Sequence, residues 1–304
     1  MAVPEAAQGI TAVVVTYNPD PEQLARLCQA VQPQVEHVVL VDNGSSAETL
    51  AALQALVEGP SSALTLLAQG ENRGIGAAQN AGIAMARQHG SRYVLLLDHD
   101  SIPEADMVAT LRAAIEDQPA GSPPVAAAGP RYADARQTTN PSPFVQLEGF
   151  KRVRCECQHA GQLIEVEHLI ASGSLIPMAV LDAVGDMDER LFIDYVDIEW
   201  CLRAAHAGYR MLGVCDARMQ HELGDTPIRF MGKHLPDHSP LRHYYLFRNA
   251  LLLQRMPHIG WRWKVVDAYQ TVMKYGFYAL VATPRLPRIR MMNRGLWDGL
   301  LGRG

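Results

Sequence analysis

The chain has 304 residues, 48% of them hydrophobic and 19% charged, with a formal net charge of -5. This length and composition allow one large or two small domains around a sizeable core and exclude general disorder. The mildly negative total excludes a nucleic-acid binder that works with its whole surface.

Residues 10–16 are a β-branched run suited to a strand buried on both faces. Asn18, Pro19 and Pro21 break it, and Leu24, Leu27 and Val31 then recur at helical spacing over residues 22–31. Residues 37–41 form a second buried strand ending at Asp42-Asn43-Gly44. A helix over 47–57, a strand over 64–67, an alanine-rich helix over 75–89 and a strand over 93–97 follow, the last ending at Asp98-His99-Asp100. Next come a helix over 103–117, loops at 119–124 and 138–143, and strands near 125–129 and 162–170. Helices are expected from Pro177 to 183, with proline in the first turn, and over 197–207, closed by Gly208. Strands alternating with helices at this spacing imply an α/β fold, a doubly wound and mostly parallel sheet with right-handed crossovers. From Pro240 the composition changes to arginine, tyrosine and tryptophan on apolar helical stretches, which divides the chain into residues 1–239 and a helical extension, 240–304.

The five cysteines (Cys28, Cys155, Cys157, Cys201, Cys215) include no CxxC pair, so neither a zinc ribbon nor a disulfide framework is expected. The first residues lack a basic and an apolar segment, and no apolar run near the C-terminus approaches the ~20 residues of a spanning helix. A cytoplasmic protein in a reducing compartment is the expectation.

In an open parallel sheet, ligands bind beyond the carboxyl ends of the strands. Thr16-Tyr17-Asn18, Asp42-Asn43-Gly44 and Asp98-His99-Asp100 each follow an apolar strand and so gather at that edge. Asp and Asn are also ordinary turn formers, but three such groups at successive strand ends favour a site. Asp98 and Asp100, two residues apart on an extended segment, point to the same side, and two close carboxylates ionise together best around a hard divalent cation. Asp194, Asp197 and Glu199 crowd the start of a helix among Phe192, Tyr195 and Trp200. There, a carboxylate either caps the helix, Asp194 as N-cap, or serves as a general base in a partly dry setting. A dinucleotide fingerprint does not follow the first strand, no G-x-S-x-G elbow exists, and His221-Glu222-Leu223-Gly224-Asp225 lacks the second histidine of a zincin.

Taken together, these residues resemble the family 2 glycosyltransferases of the GT-A fold, and more narrowly bacterial rhamnosyltransferases that use dTDP-L-rhamnose. The resemblance runs from about residue 11 to residue 253. Its marks are Val14-Val15-Thr16-Tyr17-Asn18, Val41-Asp42-Asn43-Gly44-Ser45, Glu71-Asn72-Arg73-Gly74 with Asn80-Ala81-Gly82, and Leu97-Asp98-His99-Asp100-Ser101. The rhamnosyl branch is marked by residues 192–200, by His221-Glu222-Leu223-Gly224 and by Tyr244-Tyr245-Leu246-Phe247-Arg248-Asn249.

The resemblance implies a Rossmann-like mixed sheet flanked by helices, a divalent metal (Mg or Mn), a dTDP-L-rhamnose donor and a saccharide or lipid-linked acceptor. Thr16 and Tyr17 would line the base pocket, Asp42 would accept the N3–H of the base, and Asn18 and Asn43 would belong to the substrate-binding set. Arg73, Gly74 and Asn80 would sit by the sugar-phosphate, Asp98 would hold ribose and metal, and Asp100 and His221 would complete the metal site. Ser172, Gly173, Glu199 and Trp200 would belong to the substrate-binding set, and Arg248 would contact the diphosphate. Asp197 would be the general base, with Glu199 and Asp194 as fallbacks because Val196 stands where a Glu-Asp pair is frequent. The edge read by Asp42 is common to thymine and uracil, so a UDP-hexose transferase is the nearest alternative. A nucleotidyltransferase would show a basic glycine-rich loop in place of Tyr17-Asn18-Pro19-Asp20-Pro21. A non-catalytic assembly module would have no use for Asp98, Asp100 and Asp197 together.

The net charge conceals two unlike parts. Residues 240–304 hold eleven Lys and Arg against Asp267 and Asp298, a net +9, which leaves -14 on residues 1–239. Basic and aromatic residues on amphipathic helices suit an anionic membrane surface, here the inner face of the cell membrane. The same helices could instead pack on the catalytic part or on a second subunit. No nucleic-acid partner is expected.

Overall fold

Alternation along the first strand sorts the layers. In β1 (Ile10–Thr16) every residue is buried. Ile10, Ala12 and Val14 face one apolar core, and Val13 and Val15 face the other. A strand buried on both faces sits mid-sheet with helices above and below.

The computed structural model describes residues 7–58, 64–133, 144–221, 228–230, 233–235 and 238–303, with the two short stretches between 228 and 235 described by backbone alone. The expected loop at 138–143 lies outside the described residues. After β1 come α1 (Pro21–Val31), β2 (His37–Asp42), α2 (Ala47–Val57), β3 (Leu64–Ala68), α3 (Ile75–Gln88) and β4 (Tyr93–Asp98). Helix α1 starts as its sequence dictates, with Pro21 in the first turn and the Asp20 carboxylate accepting the Gln23 N–H at 2.8 Å. Then follow β5 (Ser101–Pro103), α4 (Met107–Glu116), β6 (Val125–Ala133), β7 (Phe144–Glu148), β8 (Lys151–Cys155), β9 (Leu163–Val166), β10 (Leu175–Pro177), α5 (Met178–Val184) and α6 (Val196–His206). The remainder is β11 (Arg210–His221), β12 (Ile228–Phe230), β13 (Lys233–Leu235), α7 (Pro240–Arg255), α8 (Trp261–Leu280) and α9 (Arg285–Leu301).

The main sheet runs β3-β2-β1-β4-β10-β6-β11-β5, with β9 also paired to β11. Strands β3, β2, β1 and β4 are parallel, β10 is antiparallel to both β4 and β6, β11 is parallel to β6, and β5 is antiparallel to β11. The chain therefore reverses its order at β1 and β4, the switch point where a crevice opens at the carboxyl ends. Register aligns Thr16 with Asp42 and Val15 with Asp98, so the polar strand ends do collect at one edge.

Three expectations are corrected. Pro103 does not start a helix. It ends β5, an edge strand that a residue without an N–H tolerates, and α4 begins at Met107. Pro177 closes β10 and stands at the N-cap of α5 instead of inside its first turn. Cys157 and Cys215 form a disulfide across 58 residues of sequence. Their distance in the chain hides the neighbourhood of β9 and β11, where the Cys215 N–H donates to the Gln162 carbonyl at 3.1 Å.

Helices α7 and α8 do not stand apart from the sheet domain. Ala250, Leu253, Ile259 and Trp263 belong to the same core as α3, α5 and α6, while Phe247, Tyr278, Ala282 and Met292 form a smaller cluster with α9. Helices α7 and α9 approach so closely that a Cβ at Gly295 would lie 2.3 Å from the Tyr244 carbonyl oxygen. Gly295→Ala should therefore be a net loss: overpacking costs about 1–3 kcal/mol, against roughly 1 kcal/mol of helix propensity gained. Urea unfolding should show the midpoint fall, and an unchanged or raised midpoint would contradict this packing.

Candidate active site

The loops after β1 and β2 are tied together. Asn18, in the left-handed region at φ 45°, donates its backbone N–H to Ser45 Oγ at 2.8 Å, and its Oδ1 accepts the Ser46 N–H at 2.9 Å. Asp42 is buried: Oδ2 accepts from the Gly44 and Ser45 N–H groups, while Oδ1 has no hydrogen-bond partner. Asn43 donates to Asn72 Oδ1 and accepts the Arg73 N–H at 2.9 Å, shaping the loop before α3. Gly74, at φ 89°, ends that loop. A Cβ there would lie 2.6 Å from the Phe192 carbonyl oxygen, so only glycine admits this approach.

At the end of β4, a relay of short contacts assembles the acidic pair. The Asp98 N–H donates to Ser172 Oγ at 2.9 Å, Ser172 and Ser101 hydroxyls lie 2.7 Å apart, and Ser101 Oγ lies 2.7 Å from His221 Nδ1. His221 Nδ1 is 3.3 Å from Asp100 Oδ1. The β5–β11 pairing sets His221 opposite Ser101 and so carries the imidazole to residues 120 positions away. Asp98, Asp100 and His221 each offer a ligand atom, all within 4.8 Å of one another. Two hard carboxylates and an imidazole are a donor set that fits a divalent cation. Burial, and then the Asp100 and Asp197 charges, push the Asp98 carboxyl above its ordinary value, with His221 opposing. Burial also raises Asp100, but the His221 contact outweighs it and holds that carboxyl low.

Asp197 enters from α6. The residues before it, Phe192, Asp194 and Tyr195, lie at φ 63°, 64° and 66°, a conformation that bulky side chains rarely adopt. Tyr195 occupies the N-cap position without a side-chain cap, so Asp194 is not the cap; its carboxylate is gripped by Arg242 at 2.9 Å. Asp197 accepts its neighbour's N–H (Ile198) at 2.8 Å, and burial pushes its carboxyl up, with His168 pulling it partly back.

Tyr17, Asn43, Gly74, Asp98, Asp100, Ser172, Asp197 and His221 line one cleft of about 640 Å³. Thr16, Asn18, Asp42, Arg73, Asn80, Gly173, Glu199, Trp200 and Arg248 do not line it. Thr16 is buried, with its hydroxyl on the Val41 carbonyl, and the Arg73 side chain is exposed. Asn80 holds the backbone of Met187 and the Glu189 carboxylate, and Gly173, at φ 86°, packs on Pro130. Glu199 lies two residues beyond Asp197 and so on another helix face, paired with Arg203 at 2.9 Å and His258 at 3.0 Å. Trp200 fills the core with Nε1 on the Gly185 carbonyl. Arg248 is buried, donates to the Arg190 and Leu191 carbonyls, and lies over the Tyr245 ring; the arginines in the cleft are Arg152 and Arg242. Arg152, Asp267, Lys274 and Tyr278 also line the cleft and were missed from sequence. Asp267 and Lys274, seven residues apart on one helix face, were the available signal. The Glu222–Gly224 part of the His221 motif lies outside the described residues.

The sequence matches the family model "Glycosyl transferase family 2" over residues 11–160. It is 34% identical over 251 residues to the dTDP-rhamnosyl transferase RfbF of Shigella flexneri, covering 82% of this chain and 81% of that one. It is 26% identical over 303 residues to the galactofuranosyltransferase GlfT1 of Mycobacterium tuberculosis, covering 96% and 93%. Among solved structures, S. aureus TarS 1-349 in complex with UDP-GlcNAc superposes with a TM-score of 0.61 at 16% identity, covering 97% of this chain and 81% of that one. GalNAc-T7 with UDP, GalNAc and Mn2+ gives 0.60 at 15% identity over 92% of this chain, which spans only 58% of GalNAc-T7. At these identities the structures share the fold.

Mn2+ titrated into the protein should raise its thermal midpoint. Asp100→Asn should weaken that response by at least the roughly tenfold to hundredfold that loss of an outer-shell partner costs. An equal Mn2+ response in the variant would remove Asp100 from the donor set.

Proposed function

The chain belongs to glycosyl transferase family 2, and from that premise we propose that it is an inverting, metal-dependent rhamnosyltransferase. It moves L-rhamnose from dTDP-β-L-rhamnose to a hydroxyl of a saccharide or lipid-linked acceptor in cell-surface polysaccharide synthesis. The observation that carries this reading is the convergence of Asp98, Asp100, His221 and Asp197 on one cleft at the switch point of the sheet. The similarity to RfbF supports the donor.

Asp197 takes the proton of the acceptor hydroxyl as its oxygen bonds to the anomeric carbon. The bond from that carbon to the diphosphate oxygen breaks on the opposite side, dTDP leaves, and a β-linked donor becomes an α-L-rhamnoside. The raised Asp197 carboxyl suits a base that is more proton-hungry than an exposed aspartate. Asp42 Oδ1, a buried acceptor without a hydrogen-bond partner behind the cleft-lining Asn43, is the group we assign to the base N3–H, and Tyr17 offers the cleft a half-exposed ring. A bound divalent cation, Mg or Mn, would supply positive charge for the leaving diphosphate at Asp98, Asp100 and His221. GalNAc-T7, of like fold, was solved with Mn2+.

A same-fold transferase of another nucleotide sugar is the second reading, favoured by the match to GlfT1 along nearly the whole chain. A donor panel decides between them. dTDP-L-rhamnose, and not UDP-hexoses, should release diphosphate nucleotide and raise the thermal midpoint with metal present; the reverse pattern would refute the rhamnosyl reading.

Asp197→Asn should lower kcat by about 10²–10⁴ with thermal midpoint and donor response retained. Because the base must be ionised, activity should fall on the acid side through a value above the ordinary 3.8 of aspartate. Near wild-type turnover in the variant would reassign the base.

The extension favours a peripheral membrane role. Trp261, Val265, Tyr269, Val272 and Leu280 are exposed along one side of α8, and Arg262, Arg285, Arg290, Arg294 and Arg303 are exposed on α8, on α9 and just beyond it. No helix among the described residues is long and apolar enough to cross a membrane. Sedimentation with anionic liposomes should be salt-sensitive, and Val272→Glu with Leu280→Glu should reduce it about tenfold or more. Salt-insensitive or absent binding would leave α8 and α9 with a packing role only.

A further inference from the structure

Helix α8 has a second face, turned the other way. Its buried residues are Trp263, Val266, Asp267, Thr271 and Tyr278; Trp263, Asp267, Thr271 and Tyr278 recur at helical spacing, and Lys274 falls on the same stripe. Asp267, Lys274 and Tyr278 line the cleft that holds Asp197, together with Arg152 from β8.

A charged group turned inward normally finds a partner. Here the bonding is incomplete. Asp267 is 1% exposed; its Oδ1 accepts the Tyr195 hydroxyl at 3.1 Å, but Oδ2 has no hydrogen-bond partner. Arg152 is fixed by Glu167 through Nε at 3.2 Å, by Gln270 through Nη1 and by the Trp263 ring 5.2 Å beneath it. Its Nη2 is buried, makes no hydrogen bond and stands 3.8 Å from Asp267 Oδ1. Among the described residues Lys274 makes no hydrogen bond or ion pair; Asp267, Arg152 and Asp194 are its charged neighbours. One acceptor and two donors are thus left without hydrogen bonds in the cleft, on side chains whose other atoms are held in place.

We propose that Asp267, Arg152 and Lys274 form the subsite for the acceptor sugar, reading its hydroxyl groups. A hydroxyl both donates and accepts. One can give its hydrogen to Asp267 Oδ2 while it or its neighbour accepts from Arg152 Nη2 and the Lys274 ammonium. The nearby Tyr195 and Tyr278 rings supply apolar surface for a sugar face. Arg152 and Lys274 are balanced by the Asp267 and Glu167 carboxylates, so a neutral saccharide fits better than a free anion. Burial pushes the Asp267 carboxyl up and the Lys274 ammonium down, as expected for groups lacking a ligand's bonds. The subsite rests on the glycosyl-transfer reading, because it needs an acceptor beside Asp197.

The test uses the full chain with dTDP and Mn2+, and octyl glycosides of L-rhamnose, N-acetylglucosamine and galactose as probes, followed by saturation-transfer NMR. At least one glycoside should bind the wild-type chain. Asp267→Asn and Lys274→Met should each weaken it about tenfold or more, the loss expected for a charge-assisted hydrogen bond, while the dTDP-induced thermal shift keeps its size. If Asp267→Asn fails to fold, Lys274→Met decides, since methionine keeps the aliphatic stem. Unchanged glycoside binding in the folded variants, no glycoside binding to the wild type, or preference for inorganic phosphate would each overturn the subsite. Failure of the donor reading is separately visible, as a chain that does not respond to dTDP or to dTDP-L-rhamnose.

Discussion

The site depends on a strained stretch of backbone and on the helix that holds it. Phe192, Asp194 and Tyr195 are three non-glycine residues in the left-handed region within four positions. Such conformations cost of order 1–3 kcal/mol each and persist only where the surroundings over-determine them. Here α7 does so: Asn249 Nδ2 donates to the carbonyls of Leu191, Ile193 and Asp194, Arg248 to those of Arg190 and Leu191, and Arg242 grips the Asp194 side chain. Phe192 stacks on Tyr245 with ring centroids 4.5 Å apart. The direction in which Asp197 leaves this stretch, and the seat of the loop before α3 through the Ile75 N–H on the Phe192 carbonyl, both follow from that clamp.

This clamp explains why the basic character of the C-terminal part is only partly a surface property. Arg248 spends its guanidinium on carbonyls, and Arg288 does the same with Thr283 and His238. An arginine can be buried in this way because its several donors are satisfied by carbonyls pointing at it. The exposed arginines of this part are Arg255 at the end of α7, Arg262 on α8, Arg285, Arg290 and Arg294 on α9, and Arg303 just beyond it. Helix α8 thereby carries two chemistries on different faces, polar groups lining the cleft that holds Asp197 and aromatic and aliphatic side chains exposed to the outside. An acceptor whose sugar enters the cleft while an apolar portion stays outside would meet both.

The parallel half of the sheet was legible because strands buried on both faces leave continuous apolar runs, and because Asp42 and Asp98 punctuate them. Strand β5 was not, since three residues ending in proline look like a helix start until β11 is known to lie beside them. The Cys157–Cys215 bond was hidden for the same reason: only the β9–β11 pairing brings the two sulfurs together. The resemblance implied a diphosphate contact for Arg248. Tyr244 and Tyr245 lie one turn before it on the same helix, but the Arg190 and Leu191 carbonyls it serves lie on a segment whose proximity no spacing reveals.

By itself, the sequence determined the alternation of the first four strands with helices, the carboxyl edge where polar residues gather, and the carboxylates placed there at Asp98 and Asp100 and on the helix start at Asp197. These are local properties, set by hydrophobic period and by residue type. Tertiary structure alone decided that His221 reaches the acidic pair and that Asp267, Arg152 and Lys274 line the cleft that holds Asp197. Those facts depend on pairings between segments tens to more than a hundred residues apart. Contacts over that range are set by packing and register, and side-chain pattern carries no record of them.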